Sequence, residues 1–103
     1  MTELRSEVEL KDVAVALRSR SIKGIYYESK KQRMCVLTSH GRIKIHASIH
    51  PDIVRTIVEH QYPGYAYDAA RRQIGRELSQ LTLTGFFSLI AAKHAFKGFL
   101  SKR

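Results

Sequence analysis

The sequence predicts an α+β domain in which a three-stranded antiparallel sheet packs against helices, with an N-terminal helix before it and a C-terminal helical tail after it. Residues 42–47, Arg-Ile-Lys-Ile-His-Ala, alternate apolar and polar side chains with the period of a strand. Pro51 and Asp52 then open a segment whose apolar residues recur at helical spacing. The chain has 103 residues, enough for one core, so we expect one domain over residues 1–80 and the tail over residues 81–103.

The first predicted element is a helix from Glu7 to Arg18. Ser6 and Glu9 stand three apart, as in a capping box at a helix start. The apolar residues that follow share one face of such a helix: Leu10, Val13, Ala14 and Leu17. The pattern therefore predicts a helix that packs on the domain core.

Three strands are predicted next. The segment from Ile22 to Glu28 is rich in β-forming residues, and a polar turn separates it from a second strand over Arg33 to Thr38. Gly41 permits a tight turn into the third strand, residues 42–47. Alternation in that strand places Ile43, Ile45 and Ala47 on the core face of the sheet. The opposite face, which is basic, carries Arg42, Lys44 and His46.

Helical patterns fill the rest of the chain. A short helix begins at Pro51 and ends before Tyr62, and a longer one is predicted from Ala66 to Leu81. The tail places one apolar face on a further helix: Leu89, Ala92, Phe96, Phe99 and Leu100. This tail either packs on the domain or docks a partner protein. Its apolar stretch, residues 83–92, is too short for a transmembrane segment.

Charge predicts the kind of partner. The net charge is +9, and residues 18–44 hold eight basic residues against the single acid Glu28. Such a balance favours a polyanion, DNA or RNA, over a neutral ligand. The single cysteine, Cys35, excludes an internal disulfide and suits a reducing, intracellular compartment, which is the nucleus or an organelle in a eukaryote and the cytoplasm in a bacterium or phage.

The candidate contacts follow from the predicted sheet. Strand cations can reach phosphates and base edges, cations at the hairpin tip can neutralise phosphates, and one strand tyrosine can stack on a base. The predicted nucleic-acid-binding residues are Lys23, Tyr26, Lys30, Lys31, Arg33, Arg42, Lys44 and His46. Solvated lysines that keep a sheet edge from aggregating are the alternative interpretation.

Residues 23–33, Lys-Gly-Ile-Tyr-Tyr-Glu-Ser-Lys-Lys-Gln-Arg, continued by residues 41–44, Gly-Arg-Ile-Lys, resemble the opening hairpins of Apetala-two DNA-binding domains of the apicomplexan and phage types. Residues 65–75, Tyr-Ala-Tyr-Asp-Ala-Ala-Arg-Arg-Gln-Ile-Gly, resemble the helix of that family. The resemblance implies a three-stranded sheet that enters the major groove, with Lys23, Tyr26, Arg42 and Lys44 at positions that contact DNA. The order of elements also parallels double-stranded-RNA-binding domains, but their lysine-rich entry to the second helix is absent.

Two other classes of function remain as alternatives. The chain can be a small basic structural subunit of a large assembly, such as an organellar ribosome or a respiratory complex, that contacts RNA, protein or lipid. An enzyme would need Cys35 to meet His46 or His50 and Asp52, and no recognised motif supports that arrangement. We therefore expect no catalytic residues, no cofactor and no metal site, and the oligomeric state is open.

Overall fold

A computed structural model describes residues 12–100, with side chains through residue 97. The strands are β1 Val13–Ala16, β2 Ile22–Glu28, β3 Arg33–Thr38 and β4 Ile43–His46, and the helices are α1 Pro51–Glu59, α2 Pro63–Ala70 and α3 Leu83–Leu100. The strands form one antiparallel sheet in the order β1-β2-β3-β4. The α+β class is confirmed, but the predicted three-stranded sheet is wrong because the sheet has four strands.

The additional strand, β1, lies where the sequence predicted a helix. Val13 pairs with Tyr27, and Ala16 pairs with Gly24, in antiparallel register. The predicted N-terminal helix is therefore wrong over residues 13–16, and its start at residues 7–11 lies outside the described residues. Val-Ala-Val-Ala fits a period of two as well as a helical face, and the β-branched valines favour the strand once β2 offers an unpaired edge.

The other strands follow the prediction closely. β2 and β3 form a hairpin in which Glu28 pairs with Arg33, and β3 and β4 form a second hairpin in which Leu37 pairs with Ile43. Gly41 adopts a φ of +85° in the second turn, a conformation that glycine accepts without steric cost. The first and second hairpin turns lie at opposite ends of the sheet.

The helices agree with the prediction in part. α1 begins at Pro51 as predicted, and the His50 ring accepts a hydrogen bond from the Asp52 backbone N–H at 3.1 Å. α2 ends at Ala70, so the predicted continuation to Leu81 is wrong. Instead, residues 76–78 run antiparallel to β4, where the Leu78 N–H donates to the Ile45 carbonyl. Pairing of the β4 edge competes successfully with helical bonding here because unpaired strand edges are costly.

Helices cover both faces of the sheet. On the first face, α1 and α2 pack on β2 and β3 through a cluster of buried side chains: Ile22, Ile25, Tyr27, Met34, Val36, Ile49, Ile57, Ala66 and Tyr67. On the second face, α3 packs on β3 and β4 through another cluster: Cys35, Leu37, Ile43, Ile45, Ala92 and Phe96. Residues of β3 alternate between the two clusters, so this strand is buried on both sides. The helical tail therefore folds onto the domain.

Within residues 12–100, no helix combines the length and the apolar character needed to cross a bilayer. The longest helix, α3, has 18 residues and carries Lys93 and Lys97. Its inward face is fixed by Phe96, which is 1% exposed. Burial of a phenylalanine of this kind contributes about 2–3 kcal/mol to folding.

Candidate nucleic-acid interface

Several described cations lie at one or the other end of the sheet. At one end lie the β1–β2 loop, residues 17–21, the β3–β4 turn, residues 39–42, and the α1–α2 connection, residues 60–62. We call this the basic end, together with the part of α3 beside it. It carries six cationic side chains: Arg18, Arg20, Lys23, Arg42, Lys44 and Lys93. No ion pair joins any of the six to an acid within residues 12–100.

Backbone hydrogen bonds hold the loops of the basic end together. The Ser39 N–H donates to the Ser21 carbonyl at 2.9 Å, and the Leu17 N–H donates to the Lys23 carbonyl at 2.9 Å. In the adjacent turn, the Thr38 N–H donates to the Arg42 carbonyl at 2.8 Å. Neighbouring strands lie about 4.8 Å apart, so these loops bring their cations onto one continuous surface.

An open groove of about 430 Å³ joins the sheet to α3 at the basic end. Its lining includes Arg42 and Lys44 from the sheet and Lys93 from α3. Glu77 and Gln80 form part of the wall, where the Gln80 amide donates to the Ile43 carbonyl and so covers the β4 edge. The Glu77 carboxylate, in the same lining as these three cations, has no ion pair to any described residue. A groove of this composition attracts a polyanion of modest width.

The opposite end, which we call the paired end, consists of the β2–β3 turn and the residues beside it. It holds three of the predicted site residues, Lys30, Lys31 and Arg33. The Arg33 guanidinium donates to the Ser88 hydroxyl at 3.2 Å, and that hydroxyl donates to the Glu28 carboxylate at 2.8 Å. The Lys31 ammonium lies 4.0 Å from the same carboxylate.

This network has a structural role at the paired end. Glu28 and Ser88 are 5% and 0% exposed, so the carboxylate needs these donors to compensate its lost hydration. Because Ser88 belongs to α3, the network also ties that helix to the hairpin. Arg33 is thus engaged through Ser88, whereas Lys30 and Lys31 are both exposed, with Lys31 beside the internal acid.

His46 is buried, so its predicted exposed position on a basic sheet face is wrong. The residue is 5% exposed, and its ring nitrogen Nε2 lies 2.7 Å from the Tyr67 hydroxyl oxygen. Burial lowers the pKa of His46, and the nearby cations Lys44 and Arg71 lower it further, although Glu77 opposes them. The physical reason for the burial is that α2 covers this end of β4, which sequence alternation alone cannot show.

Tyr26 lies on the α3 face rather than with the basic side chains. Its ring is partly buried against the α3 cluster, and its hydroxyl donates to the Asp12 carboxylate at 3.1 Å. Burial and the neighbouring Asp12 raise the pKa of Tyr26 above its usual value. Asp12 also accepts from the Ser29 N–H at 3.1 Å, so it anchors β1 to the first hairpin. Tyr26 is therefore engaged within the fold.

The sheet separates the groups of the alternative enzyme hypothesis. Cys35 pairs with Ile45, and both side chains face α3. His46, the next residue after Ile45, therefore points to the opposite face of the sheet, toward α2. Burial raises the pKa of the Cys35 thiol to about 12, which suppresses the reactive thiolate. His50 and Asp52 lie together at the start of α1. Within residues 12–100, no cluster of three ligating side chains could hold a metal ion.

Sequence reasoning missed several residues of the basic end. Arg18 and Arg20 contributed to the predicted charge but not to the predicted site, and Lys93 was assigned to the tail. The structure also leaves Tyr62 and Tyr65 widely exposed, at 62% and 69%. These tyrosines lie beside Arg18 and Arg20 because of the way α2 packs, and no local pattern in the sequence predicts that packing.

Comparisons with known proteins add no family to this description. The chain matches no protein-family model, and it has no significant match among curated proteins. The resemblance to Apetala-two domains is thereby neither supported nor contradicted. The geometry of the two ends is the evidence from which a function can be argued.

Proposed function

We propose that this chain is a non-enzymatic nucleic-acid-binding module that holds the phosphate backbone with the basic end of its sheet. The observation that carries the proposal is the gathering of six cations, unpaired among the described residues, from two loops, two strands and a helix. Lysine and arginine side chains in such an arrangement bind phosphates with release of counterions. The net charge of +9 favours the same class of partner.

The mode of binding differs from the one that the sequence predicted. Helices cover both sheet faces, so the strands cannot enter a groove of DNA face-on. The contacts instead come from loops and from the groove that Arg42, Lys44 and Lys93 line. Contacts of this kind read the backbone and the shape of a nucleic acid more than its base edges. We therefore expect weak base specificity and a strong dependence on salt.

A salt series of fluorescence-anisotropy titrations tests the proposal. Labelled duplex DNA, duplex RNA and a single strand are titrated with the wild type and with Arg42→Ala/Lys44→Ala. We expect the double variant to bind roughly tenfold more weakly near 0.1 M salt, and to lower the salt slope by about two, because two phosphate contacts are lost. The ranking of the three nucleic acids by the wild type decides between DNA and RNA.

Lys30→Ala/Lys31→Ala is the matched control, since it removes the same charge from the paired end. Its affinity should change by about twofold or less, through long-range attraction alone. Equal losses in both double variants would show that net charge, rather than the basic end, drives binding. No binding by the wild type beyond attraction that salt abolishes would overturn the proposal.

A structural subunit of a larger assembly is the second candidate. The outward face of α3 and the residues before it expose a row of large apolar side chains: Leu81, Leu83, Phe86, Phe87 and Ile90. Residues three and four apart on a helix are neighbours, so most of these side chains form one patch. Co-sedimentation with a large complex that Phe87→Ser abolishes, without loss of nucleic-acid binding, would favour this candidate.

A further inference from the structure

Beside the cationic loops, the basic end also carries an aromatic surface. Tyr62 and Tyr65 are exposed at the start of α2, and the His60 ring lies near both. The His60 ring centroid is 6.3 Å from that of Tyr62 and 5.9 Å from that of Tyr65. Single exposed aromatic residues are ordinary, whereas a cluster of exposed rings is more typical of a binding surface.

Two arginines face the same surface. An open groove of about 340 Å³ is lined by the β1–β2 loop, which contributes Arg18 and Arg20 and the two serines that follow them. The other side is lined by Tyr62 and Tyr65. This volume lies within the range of about 300–1,000 Å³ that is usual for sites of small ligands. The groove therefore places cations and aromatic rings within reach of one nucleotide.

Gly64 allows the two sides of the groove to meet. A Cβ atom at this position would lie 2.2 Å from the Ser21 hydroxyl oxygen and 2.7 Å from that of Ser19. The β1–β2 loop therefore packs directly on the first turn of α2. As a result, the serines of the loop lie against the Gly64 backbone, and the arginines and the tyrosines share one surface.

The combination selects between nucleic-acid forms. Arginine side chains bind phosphates in any strand, but bases can stack on protein rings only where they are not paired within a duplex. We propose that the groove between Arg18, Arg20, Tyr62 and Tyr65 binds unpaired nucleotides, with the arginines on the phosphates and the tyrosines stacked on bases. This inference rests on the proposed function and specifies the form of nucleic acid that the basic end prefers.

Anisotropy titrations with four probes test this inference. The probes are a short single-stranded DNA, the matching RNA, the duplex, and an abasic strand of equal length and charge. The wild type should bind the intact single strands about fivefold or more tightly than the abasic strand, from the energy of base–aromatic stacking. The DNA and RNA probes show which sugar the groove prefers.

Substitutions then locate the effect. Tyr62→Ala/Tyr65→Ala should erase the preference for intact over abasic strands, whereas Tyr62→Phe/Tyr65→Phe should keep it, because phenylalanine retains the stacking ring. Both tyrosines are exposed, and a thermal melt checks that each variant folds. The chain contains no tryptophan and five tyrosines, so the part of the tyrosine quenching by intact strands that Tyr62→Phe/Tyr65→Phe removes reports stacking in the groove.

The outcomes separate this inference from the proposed function. Binding that depends on Arg42 and Lys44, but is equal for intact and abasic strands, would refute the stacking groove and leave phosphate binding in place. Loss of binding to every probe at moderate salt would refute both the stacking groove and the proposed nucleic-acid binding. A clear preference for the duplex over either single strand would also contradict the groove.

Discussion

The basic end and the paired end of the sheet carry the same kinds of side chain in different surroundings. At the paired end, the Lys31 ammonium lies beside the buried Glu28 carboxylate, and the Ser88 hydroxyl of α3 links the Arg33 guanidinium to that carboxylate. At the basic end, Arg42 and Lys44 line an open groove without an ion pair to any described acid. A cation count alone does not locate a binding surface, because a neighbouring carboxylate can engage a cation within the fold.

The two carboxylates provide the sharpest test of this difference. Glu28→Ala leaves the Ser88 hydroxyl, to which the Arg33 guanidinium donates, without its buried acceptor, so we expect a loss of about 2–3 kcal/mol in the free energy of unfolding. Glu77→Ala, at an exposed site in the groove, should change the same quantity by about 0.5 kcal/mol or less. Urea denaturation of both variants measures the two values. Similar losses would remove the structural distinction between the ends.

The two arginines should show opposite effects on stability and binding. Arg33→Ala removes a hydrogen bond from a partly buried network and should destabilise the fold by about 1 kcal/mol, with little change in affinity. Arg42→Ala should leave stability nearly unchanged and weaken nucleic-acid binding by about fivefold, since one phosphate contact is lost. Urea denaturation and anisotropy, performed on both variants, give the four values. A larger binding loss for Arg33→Ala would reverse the assignment of the ends.

Much of the fold was predictable because its signals are local. The bounds of β2 and β3 and the start of α1 follow from β-forming runs, polar turns and the Pro51-Asp52 pair. β1 was missed because its four residues suit either period. The end of α2 was missed because the β4 edge, a distant part of the chain, captures residues 76–78.

The binding surface was predictable only in its overall charge. The contact that engages Arg33 depends on Glu28 and Ser88, which are 60 positions apart, so no local pattern reveals it. One signal was available for the covered sheet: Met34 to Leu37 form a continuous apolar run, which indicates a strand buried on both faces. If β3 is buried on both faces, its neighbour β4 is covered on both faces too. The burial of His46, which alternates onto the face opposite Ile45, would then have been expected.

Removal of the acid in the groove should strengthen binding. Glu77→Gln leaves a side chain of similar size without the charge that opposes Arg42, Lys44 and Lys93. We expect affinity for nucleic acid to rise by about twofold, because one repulsive charge near a phosphate in a solvated groove contributes about 0.5 kcal/mol. Anisotropy at low and high salt checks this, and the gain should diminish as salt increases. Unchanged affinity at low salt would place the phosphates outside this groove.

The smallest expected effect concerns His46, the last residue of β4. Burial lowers its pKa in the folded chain below the ordinary value of 6.5, so below that pH the unfolded chain takes up a proton that the folded chain does not. Stability is therefore unaffected above about pH 6.5 and falls as the pH decreases from there toward the folded pKa. Urea denaturation at several pH values should show this decline, and His46→Gln should reduce it, while the exposed histidines contribute equally to both proteins. If the variant does not fold, an NMR titration of the wild type replaces it, and a His46 ring that titrates together with the exposed histidines would contradict the prediction.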